Sequence, residues 1–229
     1  IEAIAGGNLL VVKKLFKKRG DDIDINAVNG KEQTVLYQSS FHGHIGIATF
    51  LLETKGIDVN KRETALGATP LYAASQEGQV EMVKILLGAD SIKVNESNIN
   101  GATPLLIASQ NNHIEIVKLF LGAEGIEINQ PESTGATPLL IASQAGHVEI
   151  VKILLGAEGI DVNETNIQGA TPLFVAILKN HIETVKLLLG AEGIEIDHPA
   201  NNYGTSLATA KEEKYTEIVQ LLEAAGATE

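Results

Sequence analysis

The sequence is governed by a period. Gly67-Ala68-Thr69-Pro70-Leu71 recurs as Gly101 to Leu105, Gly135 to Leu139 and Gly169 to Leu173, each copy 34 residues after the last. A fainter copy, Tyr203 to Leu207, follows at the same interval, and Glu32 to Leu36 lies 35 residues before the first. The extra residue falls in 61–66, where six residues instead of five separate Asn60 from Gly67. The later part of each unit repeats too: Val83 to Leu87 returns as Val117 to Leu121, Val151 to Leu155 and Val185 to Leu189. Self-similarity at this period marks a stack of supersecondary units, none of which can bury its apolar face alone.

Each unit reads as two short helices and a loop. Thr103 is an N-cap, and Pro104 sits in the first helical turn, where its missing N–H costs nothing. The first helix, 104–110, carries the small residues Ala108 and Ser109, which permit close packing. Asn111 and Asn112, or Ala145 and Gly146, supply the turn. The second helix, 114–121, is apolar at 114, 116, 117, 119, 120 and 121, leaving Glu115 and Lys118 on the wet face three apart. Gly122 and Gly125 end it, Ile126 to Asn129 alternates like a short strand, and a polar tip follows. The expected organisation is one all-α domain over 1–229. It comprises a partial unit 1–31, complete repeats 32–66, 67–100, 101–134, 135–168 and 169–202, and a C-terminal capping unit 203–229 with a last helix at 217–225. By this alignment the chain starts inside a first helix, since Ala3 to Gly7 matches Ala74 to Gly78.

These residues resemble the ankyrin repeat family. The carriers are Thr-Pro-Leu, the small pair Ala-Ser or Ala-Ala, the Gly-His or Asn-His turn, the Glu-Ile-Val-Lys helix and the closing Asp-Val-Asn. The likeness covers the whole chain, with three departures. The period is 34 and not 33, which predicts a slightly longer loop after the second helix. The His that usually follows Thr-Pro-Leu is Tyr37, Tyr72, Leu106, Leu140, Phe174 or Ala208 here, and Pro is missing from Thr34-Val35 and Thr205-Ser206. The resemblance implies an ankyrin-repeat solenoid of stacked helix-turn-helix units with short β-hairpin-like loops. It also implies a non-catalytic protein–protein interaction scaffold in an intracellular, cytoplasmic setting.

Nothing in the sequence points to an enzyme. His44, His113, His147 and His181 share one repeat position, and stacked helices lie roughly 10 Å apart, too far for equivalent rings to share an ion at about 2 Å. They read as turn histidines. His42 and His44 form a close pair without a third ligand in sequence. The Glu81, Glu115, Glu149, Glu183 and Glu217 column and the Lys84, Lys118, Lys152 and Lys186 column read as helix-surface ion pairs. Gly122 to Gly125 lacks the Lys and Ser/Thr of a phosphate loop, and there is no Gly-x-Ser-x-Gly elbow. With no cysteine, thiolate chemistry is excluded. Catalytic, cofactor and metal sites are therefore all expected to be absent.

The net charge of −12 disfavours nucleic acid, and no apolar run is long enough to span a bilayer. Charge is uneven: residues 1–66 hold nine basic and eight acidic side chains, and 67–229 hold eight and 21. The acid concentrates after the second helices at Glu124, Glu127, Glu158, Asp161, Glu192 and Glu195, and would steer a basic or bipolar partner. The expected partner is thus another protein, a basic one, bound by a monomer without membrane insertion.

In ankyrin-like proteins the hairpin tips and the exposed side of the first helices form a concave groove. Those positions vary from unit to unit here, as binding positions should, although relaxed constraint on solvent-facing residues gives the same variation. Candidate contacts are Tyr37, Phe41, Tyr72, Gln76, Asn100, Gln110, Asn111, Gln144, Gln168, Phe174, Leu178 and Lys179. Phe41 and Leu178 fill a helix-end position that is polar in the units between. Tyr37, Tyr72, Leu106, Leu140 and Phe174 suit a contact stripe or a core column equally. Two other readings accompany this one. The array could target or regulate a larger enzyme, channel or effector. Asn60, Asn95, Asn129 and Asn163 also resemble sites used by asparaginyl hydroxylases, with Leu155 eight residues before Asn163.

Overall fold

The computed structural model describes residues 7–19, 24–201 and 203–228. The expected first-helix remnant at 1–6, Asn202 of the last tip and the side chains of Lys18 and Arg19 lie outside what is described. The described helices fall into two compact units, 1–126 and 127–229. The first holds α1 (Leu9–Arg19), α2 (Val35–His42), α3 (Ile45–Leu52), α4 (Pro70–Gln76), α5 (Val80–Leu87), α6 (Pro104–Gln110) and α7 (Ile114–Leu121). The second holds α8 (Pro138–Ala145), α9 (Val148–Leu155), α10 (Pro172–Leu178), α11 (Ile182–Leu189), α12 (Ser206–Glu212) and α13 (Thr216–Ala224).

Threonine caps every first helix among the described residues. The hydroxyls of Thr34, Thr69 and Thr103 accept from the amides of Tyr37, Tyr72 and Leu106 at 3.0, 3.1 and 3.1 Å. Thr137, Thr171 and Thr205 do the same for Leu140, Phe174 and Ala208 at 3.2, 3.1 and 3.2 Å. The cap survives where proline is missing, because the hydroxyl satisfies an amide that no helical carbonyl can reach. The turn into the second helix is set by close packing. Gly78 and Gly146 have φ of 69° and 71°, and a Cβ on either would lie 2.7 Å from the His113 or His181 ring. Those imidazoles sit at the N-caps of α7 and α11, where Nε2 donates to Gln76 O at 3.0 Å and to Gln144 O at 3.1 Å. Each histidine therefore latches its turn onto the preceding repeat.

Inside each unit the helices form two layers. In 1–126, α2, α4 and α6 pack side by side, and α1, α3, α5 and α7 form the second row. In 127–229 the rows are α8, α10, α12 and α9, α11, α13. The Leu of each Thr-Pro-Leu, and Leu36 of Thr34-Val35-Leu36, is sealed: Leu36, Leu71, Leu105, Leu139 and Leu173 are all fully buried. Ala74, Ala108, Ala142 and Ala176 are equally buried, which lets helix axes approach closely without any Trp. Ser40, Ser75 and Ser109 return their hydroxyls to the carbonyls of Leu36, Leu71 and Leu105, so burial leaves none of them unpaired.

One expected element is absent. Ile126 to Asn129 forms no strand but a loop and turn, and the described β pairing is limited to isolated bridges, Val28 with Thr34 and Ala200 with Gly204. The alternation instead records burial of Ile128 beneath the loop. The closing asparagine turns toward the next repeat and bridges it. Asn60 Nδ2 donates to Ser91 O at 2.8 Å and its Oδ1 accepts from Lys93 N at 2.9 Å. Asn26 makes the same pair with Gly56 O and Asp58 N, both at 2.8 Å. In the second unit Asn129 bridges to Gly159 O and Asp161 N, and Asn163 to Gly193 O and Glu195 N. The last member is Asp197, whose carboxylate accepts from both the amide and the hydroxyl of Thr228, at 2.9 and 2.6 Å.

Two predictions follow from the bridge chemistry. Asn163→Asp keeps the acceptor but faces Gly193 O with no donor, so urea unfolding at neutral pH should show a loss of about 0.5–1.5 kcal/mol. Part of that loss should return in acid, where a protonated carboxyl can donate again. Asp197 should behave oppositely. The Thr228 hydroxyl and amide hold its carboxyl below the ordinary aspartate range. Its contribution is therefore full above the unfolded aspartate pKa and fades as pH falls through the folded value. Comparing unfolding midpoints of the parent and Asp197→Asn across acid pH checks this; a constant difference would contradict it.

Candidate protein-binding surface

A hairpin tip is built around one side chain that gathers backbone amides. Asn98 Oδ1 accepts from Asn100 N and Ala102 N at 2.9 and 3.0 Å, and Asn166 Oδ1 from Gln168 N and Ala170 N, both at 3.0 Å. In the six-residue segment 61–66 the place belongs to Glu63, which is 4% exposed. Its carboxylate accepts from Ala65, Leu66 and Ala68 at 2.8, 2.6 and 3.1 Å. Consecutive tips are tied by their backbones: Ile99 N donates to Leu66 O at 2.9 Å, Ile167 N to Thr134 O at 2.8 Å and Asn201 N to Gln168 O at 2.9 Å.

The candidate residues divide by exposure. Asn100, Gln110 and Asn111 in the first unit, and Gln144, Gln168 and Lys179 in the second, are exposed. Phe41, Gln76 and Leu178 are half-buried. Asn111 also donates to Gln76 O at 3.0 Å, Phe41 meets His42 edge-on at 5.0 Å, and Leu178 packs against the cluster of Leu140, Phe174 and Val175. Tyr37, Tyr72 and Phe174 are 8%, 4% and 1% exposed, and Leu106 and Leu140 are buried with them. Within each unit these side chains fill the first-helix layer and leave almost no area for a contact stripe. Burial pushes the Tyr37 phenol up to about 12, reinforced by the nearby Glu63 charge. Burial also raises Tyr72, opposed by a hydrogen bond from Asn98 Nδ2 to its hydroxyl at 3.2 Å. Both phenols are held neutral.

The exposed aliphatics lie elsewhere. Ile99 and Ile167 are 65% and 66% exposed at equivalent tip positions, with Leu66 at 45% and Tyr203 at 52% on other tips. Sequence reasoning passed over them for their polar neighbours Asn100 and Gln168. The available signal was an isoleucine two residues before the tip glycine, where another repeat has Ser133.

The remaining constellations are structural. Glu81–Lys84, Glu115–Lys118 and Glu183–Lys186 pair at 3.3, 2.8 and 2.8 Å on exposed helix faces, with Lys186 also 3.1 Å from Glu217. His42 and His44 stack at 5.7 Å, and no group of three or more metal-ligating side chains exists among the described residues. Asn60, Asn129 and Asn163 use both ends of their amides in the bridges between repeats, and Asn95 Nδ2 donates to Gly125 O at 2.7 Å. Among the described residues no helix is long and apolar enough to cross a membrane.

Comparison with known proteins places this architecture. The family model for ankyrin repeats (3 copies) matches residues 1–98, 88–166 and 158–228. Ankyrin repeat and SAM domain-containing protein 6 of Mus musculus is 36% identical over 90 residues, 38% of this chain and 10% of that protein. The 26S proteasome non-ATPase regulatory subunit 10 of Dictyostelium discoideum is 36% identical over 92 residues, 39% of this chain and 38% of that protein. The matched stretch thus spans well under half of these relatives. Among solved structures, the human ASB11 ankyrin repeat domain matches with a TM-score of 0.81 and 27% identity, covering 100% of this chain and 97% of that one. An ankyrin repeat domain from Acinetobacter baumannii matches with a TM-score of 0.76 and 29% identity, covering 84% and 98%. The chain belongs to the ankyrin repeat family, whose repeats generally serve protein–protein interaction and whose fold is typically a non-enzymatic module.

Proposed function

We propose that this chain is a non-catalytic scaffold that holds a partner protein on its hairpin tips and on the exposed ends of its first helices. The observation that carries this reading is the exposure of Ile99 and Ile167 on tips fixed by hydrogen bonds to their neighbours. An isoleucine left about two-thirds in water adds nothing to the core, whereas a rigid aliphatic tip loses little entropy when a partner covers it. Gln110, Asn111, Gln144 and Lys179 at the helix ends supply polar contacts around such anchors. The acidic loops at Glu158, Asp161, Glu192 and Glu195 suit a basic region of the same partner.

A second reading, in which the array targets or regulates a working domain of a larger protein, is favoured by the relatives, of which it matches only 10% and 38%. In either case the same surface does the binding.

The test combines Gln144→Lys, Ile167→Asn, Gln168→Lys and Lys179→Glu in one variant. All four side chains are exposed, so each change should cost within about 0.5 kcal/mol of stability. Affinity capture from the source cell with quantitative mass spectrometry should show partners lost, with the urea midpoint little changed. Retention of the same partners by the folded variant would place binding elsewhere.

A further inference from the structure

The first hairpin tip, 29–33, is closed by Asn29. Its Oδ1 accepts from Lys31 N at 2.8 Å and Gln33 N at 3.0 Å, its amide donates to Gln33 O at 3.0 Å and its carbonyl accepts from Glu32 N at 2.8 Å. Asn98 and Asn166 close later tips in the same way, and Ile99 and Ile167 after them give their amides to the preceding tip. Asn29 is followed instead by Gly30, which is exposed and whose N–H donates to no group among the described residues. The backbone bonds of 29–33 all close within the tip.

These are the elements of an internal acyl transfer. The unpaired Gly30 nitrogen is the nucleophile that closes a succinimide ring on Asn29 Cγ. The two amides on Oδ1 draw electrons from Cγ and stabilise the oxyanion that forms there. Nδ2, the leaving nitrogen, has a single long bond of 3.3 Å to Gln33 Oε1. A Cβ on Gly30 would meet nothing within 4 Å, so no packing opposes rotation of the Asn29–Gly30 link. The same dipeptide at Asn100–Gly101 is built differently. Asn100 is the more exposed asparagine, but its side-chain oxygen accepts from no described group, and Gly101 N is engaged by Asn98 O at 3.0 Å.

We propose that Asn29 is a site of self-modification, where water converts the asparagine to aspartate and isoaspartate through a succinimide formed with Gly30. The Gly30 nitrogen gives its proton to water or hydroxide and bonds to Asn29 Cγ. The Cγ–Nδ2 bond then breaks, and Nδ2 takes up a proton and leaves as ammonia. Water adding at Cγ breaks the new bond to nitrogen and yields aspartate. Water adding at the Asn29 backbone carbonyl breaks the original bond to Gly30 and yields isoaspartate, with Gly30 now linked through Cγ. Aspartate keeps the acceptor and adds a negative charge, as Glu63 does in the next tip. Isoaspartate lengthens the main chain by a methylene, so Lys31 N and Gln33 N lose their shared acceptor, and its free α-carboxylate suits enzymes that methylate isoaspartyl carboxylates. The assignment goes beyond the scaffold reading and stands independently of it.

The folded full chain is incubated at mildly alkaline pH, and peptide mapping by mass spectrometry follows the amide-to-acid change at both Asn-Gly pairs. Asn29 should convert about tenfold or more faster than Asn100, although Asn100 is the more exposed. In guanidinium chloride the two rates should become alike, because the folded arrangement and not the dipeptide sets the difference. Gly30→Ala, which the open space at Gly30 accommodates, should slow conversion at Asn29 and leave Asn100 unchanged. The product should also take up methyl groups from S-adenosylmethionine when an isoaspartyl methyltransferase is added as a probe. The assignment is overturned if the folded chain converts Asn100 as fast as Asn29, if neither converts, if the same ratio persists in the unfolded chain, or if Gly30→Ala reacts at the parent rate. A product that accepts no methyl group would overturn the isoaspartate branch.

Discussion

An asparagine side chain carries a donor and an acceptor on one rigid amide, and this fold uses both to fix each repeat against the next. Asn60 reaches Ser91 O and Lys93 N, 31 and 33 residues on, while Asn26, Asn129 and Asn163 reach 30 and 32 residues on. The difference is the additional residue in 61–66, which is absorbed entirely in the tip while the bridge keeps its geometry. A unit that cannot seal its own core needs such a register device, because apolar packing is non-directional and tolerates sliding. The end of the series shows the same logic. Asp197 faces two donors on Thr228, and a carboxylate accepts from both, one on each oxygen, where an amide offers a single oxygen.

Much of this was legible because the repeat averages away ambiguity. A single Thr-Pro-Leu is a weak signal, but several copies at one spacing fix the cap, the first turn and the buried leucine together. Helices expected at 104–110 and 114–121 lie at those bounds. The strand reading of Ile126 to Asn129 failed for a physical reason. Period-two alternation reports alternating burial, and a loop pressed onto a helix layer produces it as readily as a ladder does. Ile128 is buried beneath the loop while Asn129 turns outward to bridge.

Exposure was harder to read than element type. Tyr37, Tyr72 and Phe174 belong to a column that could face either way, and only the packing of neighbouring first helices decides for burial. Ile99 and Ile167 mislead in the opposite direction, since an apolar residue in a single sequence is assigned inward by default. Their exposure follows from tip geometry. Asn98 and Asn166 turn their side chains back onto the tip amides, which directs the following residue into solvent. A polar residue that folds the tip and an apolar residue displayed by it are therefore two halves of one device.

The same coupling separates net charge from local charge. Residues 127–229 hold five basic and fifteen acidic side chains, and their exposed carboxylates include the outer-loop residues Glu158, Asp161, Glu192 and Glu195. At the 61–66 tip a glutamate does the folding in place of asparagine, its carboxylate accepting from three amides. Lys61 and Arg62 beside it are exposed, with Arg62 paired to Glu96, while the Glu63 charge lies buried within reach of the Tyr37 phenol. Formal charge summed along the chain therefore describes the outer loops and helix faces better than this tip, where one charge is buried in closing the turn and another is held in an ion pair.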